Sequence, residues 1–282
     1  MSPIHDQSYR HYEGERRSLG RAWSVITRTG IRSSLARRWF LVLLAVAWIP
    51  FIASTIHIYL VTMYPTIGQQ VLAVDAHRFM QFIEQQGIWV FFVTIFAGSG
   101  LIANDRRANA LQIYLSKPLL RSEYIGGKFA ILPTLLIFVT LVPALLLLLM
   151  QVMFAGNLDF IRANLYVVPA VILASLMRVL ISASTMLALS SLSKSTRFVA
   201  ILYAGAIFFT EAVYLFLWAV TGSTRVAWVS IGGNLENVTD VMFRQTPRYE
   251  TPVVVSVLIL VGLLAVSFSV VERRVRGVEI VA

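Results

Sequence analysis

Six long runs of apolar residues divide this chain of 282 residues. Each run has at least 17 residues, and a helix that rises about 1.5 Å per residue can then cross most of a bilayer's hydrocarbon. The composition agrees, because 57% of the residues are hydrophobic and 13% are charged, whereas soluble domains are about 25% charged. We therefore predict an all-α, polytopic membrane protein with six transmembrane helices. The predicted spans cover residues 40–63, 87–103, 129–154, 165–192, 198–221 and 252–271.

The sequence contains no recognisable enzyme motif. Cysteine is absent, which excludes disulfides, thiolate metal sites and a cysteine nucleophile. The motifs G-x-x-x-x-G-K-[ST], H-E-x-x-H and G-x-S-x-G are missing, and the four histidines are scattered. We expect no catalytic residue, cofactor or metal on this chain. The first apolar run follows a long basic region, so we interpret it as a permanent helix rather than a signal peptide.

The basic residues alternate between the two sides of the predicted bundle. If six spans place both termini on one side, that side has 18 Lys and Arg residues and the other has five. Basic residues accumulate in cytoplasmic loops. We therefore predict that both termini and the 104–128 segment are cytoplasmic, and we interpret the net charge of +10 as membrane orientation rather than nucleic-acid binding.

The region before the first span has the pattern of a basic amphipathic helix. Apolar residues recur between arginines across 16–39, at Leu19, Trp23, Ile26, Ile31 and Leu35. Such a helix typically lies in the membrane interface, so we predict an N-terminal interfacial helix. The alternative is an ordinary soluble helix, but the chain has little other soluble material for it to pack on.

The external loop at 222–250 contains apolar residues on both sides of Gly232-Gly233. We predict that Asn234 caps a short helix with an apolar side. Its apolar residues are Leu235, Val238, Val241 and Met242. This pattern is typical of short re-entrant helices that dip back toward the membrane before the last span. A compact external loop with a few packed apolar residues explains the pattern equally well.

Two charged residues fall inside predicted spans. Arg178 lies in span 4 and Glu211 in span 5, about 21 Å and about 20 Å from the cytoplasmic ends of their helices. Charges in the membrane are costly and are usually paired or functional. We therefore predict an intramembrane ion pair or shared polar network between them, either to fix helix register or to act in substrate passage. Arg178 also belongs to a polar stripe on span 4, with Ser175, Ser182 and Thr185.

The polar segment 104–128 separates spans 2 and 3. It contains NDRR at 104–107, ALQIYLSKP at 110–118 and RSEYIGGK at 121–128. These motifs resemble the cytoplasmic loop of the type-2 ABC transporter permeases, in which a leucine-rich helix, a Ser-x-Pro break and a Gly-Lys precede the third span. The ending RVRGVEI at 274–280 is also similar to that family. The family's usual Gly-Thr before the leucines is absent, and Asn109-Ala110 stands near its place.

The resemblance implies a permease half without its own ATPase. A second permease half, identical as in a homodimer or closely related, would complete the pathway. A cytoplasmic ABC ATPase subunit with ATP and Mg²⁺ would dock on each half. The resemblance implies contact with that ATPase for Asp105, Arg106, Arg107, Leu111, Tyr114, Leu115, Lys117, Pro118, Arg121 and Glu123. The alternative for Arg106, Arg107 and Lys117 is anchoring to anionic lipid headgroups.

The resemblance implies the membrane-spanning subunit of an ABC exporter in a bacterial or archaeal cytoplasmic membrane. The alternative is a non-exporting membrane subunit that couples ATP hydrolysis to an external assembly or maturation partner. A secondary transporter is less favoured, because the two halves of the chain show no internal repeat. The expected organisation is a cytoplasmic tail and interfacial helix at 1–39, a permease domain at 40–271 and a cytoplasmic tail at 272–282.

Overall fold

The computed structural model describes residues 22–64, 75–110 and 120–275, and these are helices joined by short connections without a β-strand. Six helical units among them are long and apolar enough to cross a membrane, which confirms the predicted number of spans. The helices are α1 (Ala22–Leu35), α2 (Arg38–Val46), α3 (Ile49–Met63), α4 (Ala76–Val93), α5 (Ala103–Arg107), α6 (Arg121–Val139), α7 (Leu141–Ala155), α8 (Asp159–Ala163), α9 (Val167–Leu192), α10 (Thr196–Thr221), α11 (Ile231–Met242) and α12 (Val253–Arg274).

Spans 2, 3 and 4 form the interior of the bundle. In each of these three spans, half or more of the most apolar 18-residue stretch is buried, whereas the buried share is 17% in spans 1, 5 and 6. Span 1 consists of α2 and α3, span 2 of α4 and α5, and span 3 of α6 and α7. Spans 4, 5 and 6 are α9, α10 and α12. The helix α9 packs against α4, α6, α7, α10, α11 and α12, so it is the centre of the fold.

Spans 1 and 3 are each interrupted next to a proline. In span 3 the break falls at Thr140, because Pro143 has no N–H to donate to the carbonyl group of Val139. In span 1 the break falls at residues 47–48, just before Pro50. Pro50 and Pro143 thus coincide with helix breaks, whereas Pro133 lies inside α6, which continues past it.

Span 2 begins earlier than the sequence predicted. We expected a polar loop before residue 87, but α4 starts at Ala76, where the Asp75 side chain accepts a hydrogen bond from the backbone N–H of Arg78 at 3.1 Å. The side chains of His77 and Gln81 then form a hydrogen bond along one helix face, with their Nε2 atoms 2.9 Å apart. Polar residues thus extend the helix beyond the apolar run from which its start was predicted.

The half of span 2 that leads into α5 changes its helical form. A π-helical turn at Thr94–Gly98 precedes the turn that leads into α5. A Cβ atom on Gly98 would lie 2.4 Å from Cγ of Met186, so spans 2 and 4 approach each other more closely than a side chain allows. Small residues at 98–100 permit this close approach.

The helix α1 packs along the first turns of α6. The Thr27 hydroxyl donates to the carbonyl oxygen of Gly127 at 3.0 Å, and a Cβ atom on Gly127 would lie 2.9 Å from Cβ of Ile26. Arg28 and Arg32 are exposed on the other side. The predicted helix at 16–39 is thus present from Ala22 to Leu35, and residues 16–21 lie outside the described residues.

The connection between spans 5 and 6 contains a 3₁₀ helix at Thr224–Val229 followed by α11. The prediction that Asn234 caps this helix is wrong. Ser230 is the cap, because its hydroxyl oxygen accepts a hydrogen bond from the backbone N–H of Gly233 at 2.9 Å, and the helix therefore starts earlier. Leu235 and Val238 are buried against α9 and α12 as expected, but Val241 is 44% exposed.

Candidate functional site

Asp105 is the centre of the contacts between the two ends of the 104–128 segment. The ammonium of Lys128 lies 2.7 Å from its carboxylate oxygen Oδ2, and the Tyr124 hydroxyl donates to the same oxygen at 2.6 Å. The side chains of Lys128 and Asp105 are only 17% and 15% exposed. This shielded group joins the end of span 2 to the start of span 3.

The same end of span 2 is also bound to span 4. The Ser190 hydroxyl oxygen accepts hydrogen bonds from the backbone N–H groups of Ile102 at 3.0 Å and Ala103 at 3.1 Å, and it donates to the carbonyl oxygen of Ser99 at 3.0 Å. The Arg106 guanidinium donates to the carbonyl oxygen of Ser191. One serine therefore provides hydrogen-bond partners for two N–H groups and one carbonyl oxygen of span 2, where the helix is interrupted.

Glu123 connects α1 to the start of span 3. Its carboxylate accepts hydrogen bonds from the backbone N–H of Ala22 and of Leu120, both at 3.3 Å, and the residue is 8% exposed. Glu123, predicted to contact a partner, thus already binds two segments of its own chain. Its role in the described structure is to fix where α6 begins.

The remaining predicted residues of the segment differ in exposure. Arg107 is exposed, whereas Arg121 has a buried Nε and a buried terminal nitrogen without a hydrogen-bond partner in the described chain. The other predicted residues, Leu111, Tyr114, Leu115, Lys117 and Pro118, lie outside the described residues.

The structure does not bring Arg178 and Glu211 into an ion pair. The Glu211 carboxylate instead accepts a hydrogen bond of 2.5 Å from the hydroxyl of Ser230, just before α11. Arg178 faces span 2, where a Cβ atom on Gly87 would lie 2.6 Å from its terminal nitrogen Nη1. The direct pair is absent because the two side chains face different neighbours, although they lie at similar depths.

Arg248 binds three carboxylates at the end of the bundle where span 2 begins. Its guanidinium lies 2.5 Å from Glu84, 2.8 Å from Asp240 and 3.6 Å from Glu236. Its backbone N–H also donates to Asp240 at 3.0 Å. Nowhere in the described chain do three or more His, Asp or Glu residues form a group suited to a metal ion. The cation among these carboxylates is the arginine itself.

The environment shifts the pKa values of this outer charge cluster, which we define as Glu84, Glu236, Asp240, Arg248 and Tyr249. Burial raises the pKa of the Glu236 carboxyl, although the Tyr249 hydroxyl donates to it at 2.8 Å. Burial and that hydrogen bond raise the pKa of Tyr249. Burial alone would lower the pKa of Arg248, but the bonds to Asp240 and Glu84 outweigh burial and raise it. Arg248 therefore remains charged.

Sequence reasoning missed the outer charge cluster. One signal was available, because Glu236 and Asp240 are four residues apart and lie on one face of a short helix. Glu84 was assigned to a loop and gave no such signal. The cluster borders a cavity of about 330 Å³ between α4 and the residues that follow α11.

The polar stripe on span 4 faces the interior. Ser175 is 0% exposed, and Ser182 and Thr185 are each 8% exposed. The Ser175 and Thr185 hydroxyls have no hydrogen-bond partner in the described chain, and neither does the amide of Gln86, which is 0% exposed on span 2.

Comparison with known proteins found no matching family model and no matching curated protein.

Proposed function

We propose that this chain is the membrane-spanning subunit of an ABC exporter. Two copies would form the pathway, and a separate cytoplasmic ATPase with ATP and Mg²⁺ would dock on the 104–128 segment. The observation that supports this most directly is the set of contacts around Asp105 and Ser190. They connect the segment to spans 2, 3 and 4. Force applied to the segment would therefore reach three spans through a connected element, as coupling requires.

The proposed orientation places both termini and the 104–128 segment in the cytoplasm of a bacterium or archaeon. The charge asymmetry of the loops supports it. The helix α1, with exposed Arg28, Arg32 and Trp23 on the side away from α6, would lie in the membrane interface.

The short helices of the external loop would be re-entrant. Ser230 contacts Glu211, which lies ten residues before the end of α10 at Thr221, or about 15 Å along the helix. The chain therefore returns along span 5 after leaving it. A loop that lay entirely beyond the helix ends would not reach that depth.

The test is purification of the tagged chain from its native membranes after charge reversal at one exposed arginine. We expect Arg107→Glu to release a co-purifying ATPase, because Arg107 is exposed on the segment that is proposed to dock. Arg162→Glu is the matched control, an exposed arginine at the opposite ends of the spans. The proposal fails if no ATPase co-purifies with the wild-type chain. An ATPase that binds without any transport in vesicles would favour the non-exporting alternative.

A further inference from the structure

Arg178 is a charged residue in the middle of a membrane span that has no binding partner in the described chain. Its guanidinium forms no ion pair within 4 Å and no hydrogen bond with any described residue. It lies about 17 Å from the start of α9 and about 21 Å from its end. An unpaired guanidinium at this depth is costly, so the site needs an acceptor.

The neighbouring carboxylates do not supply that acceptor. Glu236, Glu84 and the Tyr203 phenol act electrostatically on Arg178, but none of them forms an ion pair or a hydrogen bond with its guanidinium. Glu236 and Glu84 instead bind Arg248, and Glu236 also accepts the Tyr249 hydroxyl. The guanidinium donors of Arg178 are therefore without a partner among the described residues.

The guanidinium keeps some accessible surface although it lies on a buried face of α9. On the face of α9 that includes Arg178, the residues Val171, Ala174, Ser175 and Ser182 are all buried, whereas Arg178 is only half-buried. The opposite wall is Gly87, which has no side chain and lets the guanidinium approach its backbone. The accessible surface of Arg178 therefore faces inward, since the lipid-exposed residues of α9, such as Leu173, lie on another side.

Next to this position lie two further buried polar groups that have no hydrogen-bond partner among the described residues. Ser175 precedes Arg178 by one helical turn, and its hydroxyl is unpaired at 0% exposure. Gln86 immediately precedes Gly87 and is also 0% exposed, with both amide atoms unpaired. Buried polar groups in folded proteins normally have partners, including ordered water or a bound molecule.

We propose that the space between spans 2 and 4 at Arg178 binds the carboxylate or phosphate group of an amphiphilic ligand. A guanidinium, a hydroxyl and a carboxamide supply the donors that an oxyanion accepts. A ligand with a hydrocarbon tail is favoured over a free ion, because the site lies at hydrocarbon depth and Ala174 and Val179 beside it are apolar. That this ligand is the exported substrate rests on the proposed function, whereas its binding does not.

The experiment measures binding of radiolabelled dodecanoate to the purified chain in phosphatidylcholine nanodiscs, without an ATPase. We expect Arg178→Gln to weaken binding about 10- to 100-fold, as for loss of a charged hydrogen bond, and Ser175→Ala about two- to tenfold. Arg162→Gln, at an exposed arginine far from the site, leaves binding unchanged. Glu236→Gln tightens it, because a negative charge near the ligand is removed.

The proposal is overturned by equal binding of Arg178→Gln and wild type, by weaker binding of Glu236→Gln, or by preference for dodecyltrimethylammonium over dodecanoate. Displacement of dodecanoate by millimolar inorganic phosphate would assign the site to a free anion and contradict the amphiphile. If Arg178→Gln does not fold, Arg178→Lys and Ser175→Ala decide the question. Dodecanoate binding without any associated ATPase would support the site and reject the proposed function separately.

Discussion

The ammonium of Lys128 lies 2.7 Å from the carboxylate of Asp105, and this ion pair closes the 104–128 segment at its two ends. Spans 2 and 3 therefore cannot separate at this point without breaking a shielded charge contact. The Tyr124 hydroxyl strengthens the contact by donating to the same carboxylate oxygen.

A double-mutant cycle of Asp105→Asn and Lys128→Met measures the strength of this pair. We expect a coupling of about 1–3 kcal/mol in thermal unfolding of the detergent-solubilised protein, because the hydrogen bond is charged and shielded. The pair of Arg225 and Glu250, at 3.4 Å with side chains 78% and 62% exposed, is the control and should couple by less than about 1 kcal/mol. Equal coupling in the two cycles would contradict the structural account.

Adjacent glycines provide a matched test of how α1 docks. Gly127→Ala would place a Cβ atom 2.9 Å from Ile26 and from the carbonyl oxygen of Trp23, so we expect a loss of about 1–3 kcal/mol. Gly126→Ala meets nothing within 4 Å and should stabilise α6 by about 0.5–1 kcal/mol. The measurements are thermal unfolding and trypsin cleavage at Arg28, which detachment of α1 should accelerate only for Gly127→Ala.

Ser190 provides a test of the interruption at the end of span 2. Ser190→Ala removes the acceptor for two backbone N–H groups of span 2, and we expect a loss of about 1–3 kcal/mol. Ser184→Ala is the control, since its buried hydroxyl donates only within α9, to Ile181 at 3.2 Å. A larger effect at Ser184 than at Ser190 in thermal unfolding would show that the contact between spans 2 and 4 is not stabilising.

The partner of Glu211 differs between the sequence prediction, which pairs it with Arg178, and the structure, in which it binds Ser230. A cycle of Glu211→Gln with Ser230→Ala should show coupling of about 1–3 kcal/mol, because the hydrogen bond is 2.5 Å long and charged. A cycle of Glu211→Gln with Arg178→Gln should be additive within about 0.5 kcal/mol. The reverse pattern would restore the predicted intramembrane ion pair.

Glu236 should make stability depend on pH. Its folded-state pKa is raised by burial, so the folded protein binds the proton more tightly than the unfolded chain does. The contribution of Glu236 to folding stability is therefore full below its ordinary pKa of 4.5, and it is lost as the pH rises through the pKa of the folded state. The charged and titratable groups that act on this carboxyl group are Glu84, Arg178, Arg248 and Tyr249. The melting temperature of Glu236→Gln minus that of wild type should rise with pH, and a flat difference would contradict the shift.

The predicted boundaries of the spans differ from the structure for a local reason. The sequence reading began each span at its first apolar residue, but α4 and α6 begin earlier, at Ala76 and Arg121. Asp75 and Glu123 bind free backbone N–H groups there and extend both helices through polar sequence. Such short-range caps can be found from sequence only when the helix start is already known.

The class of the protein follows from its sequence, because long apolar runs with few charges are buried as helices that cross the bilayer. The depth of each charge along its helix also follows from the residue count. Which charges meet is set by the tertiary structure, because it depends on helix rotation and on which helices are neighbours. Arg178 therefore faces Gly87, and Glu211 binds Ser230. Arg248 binds the nearby Glu236 and Asp240 together with Glu84, which is distant in the chain.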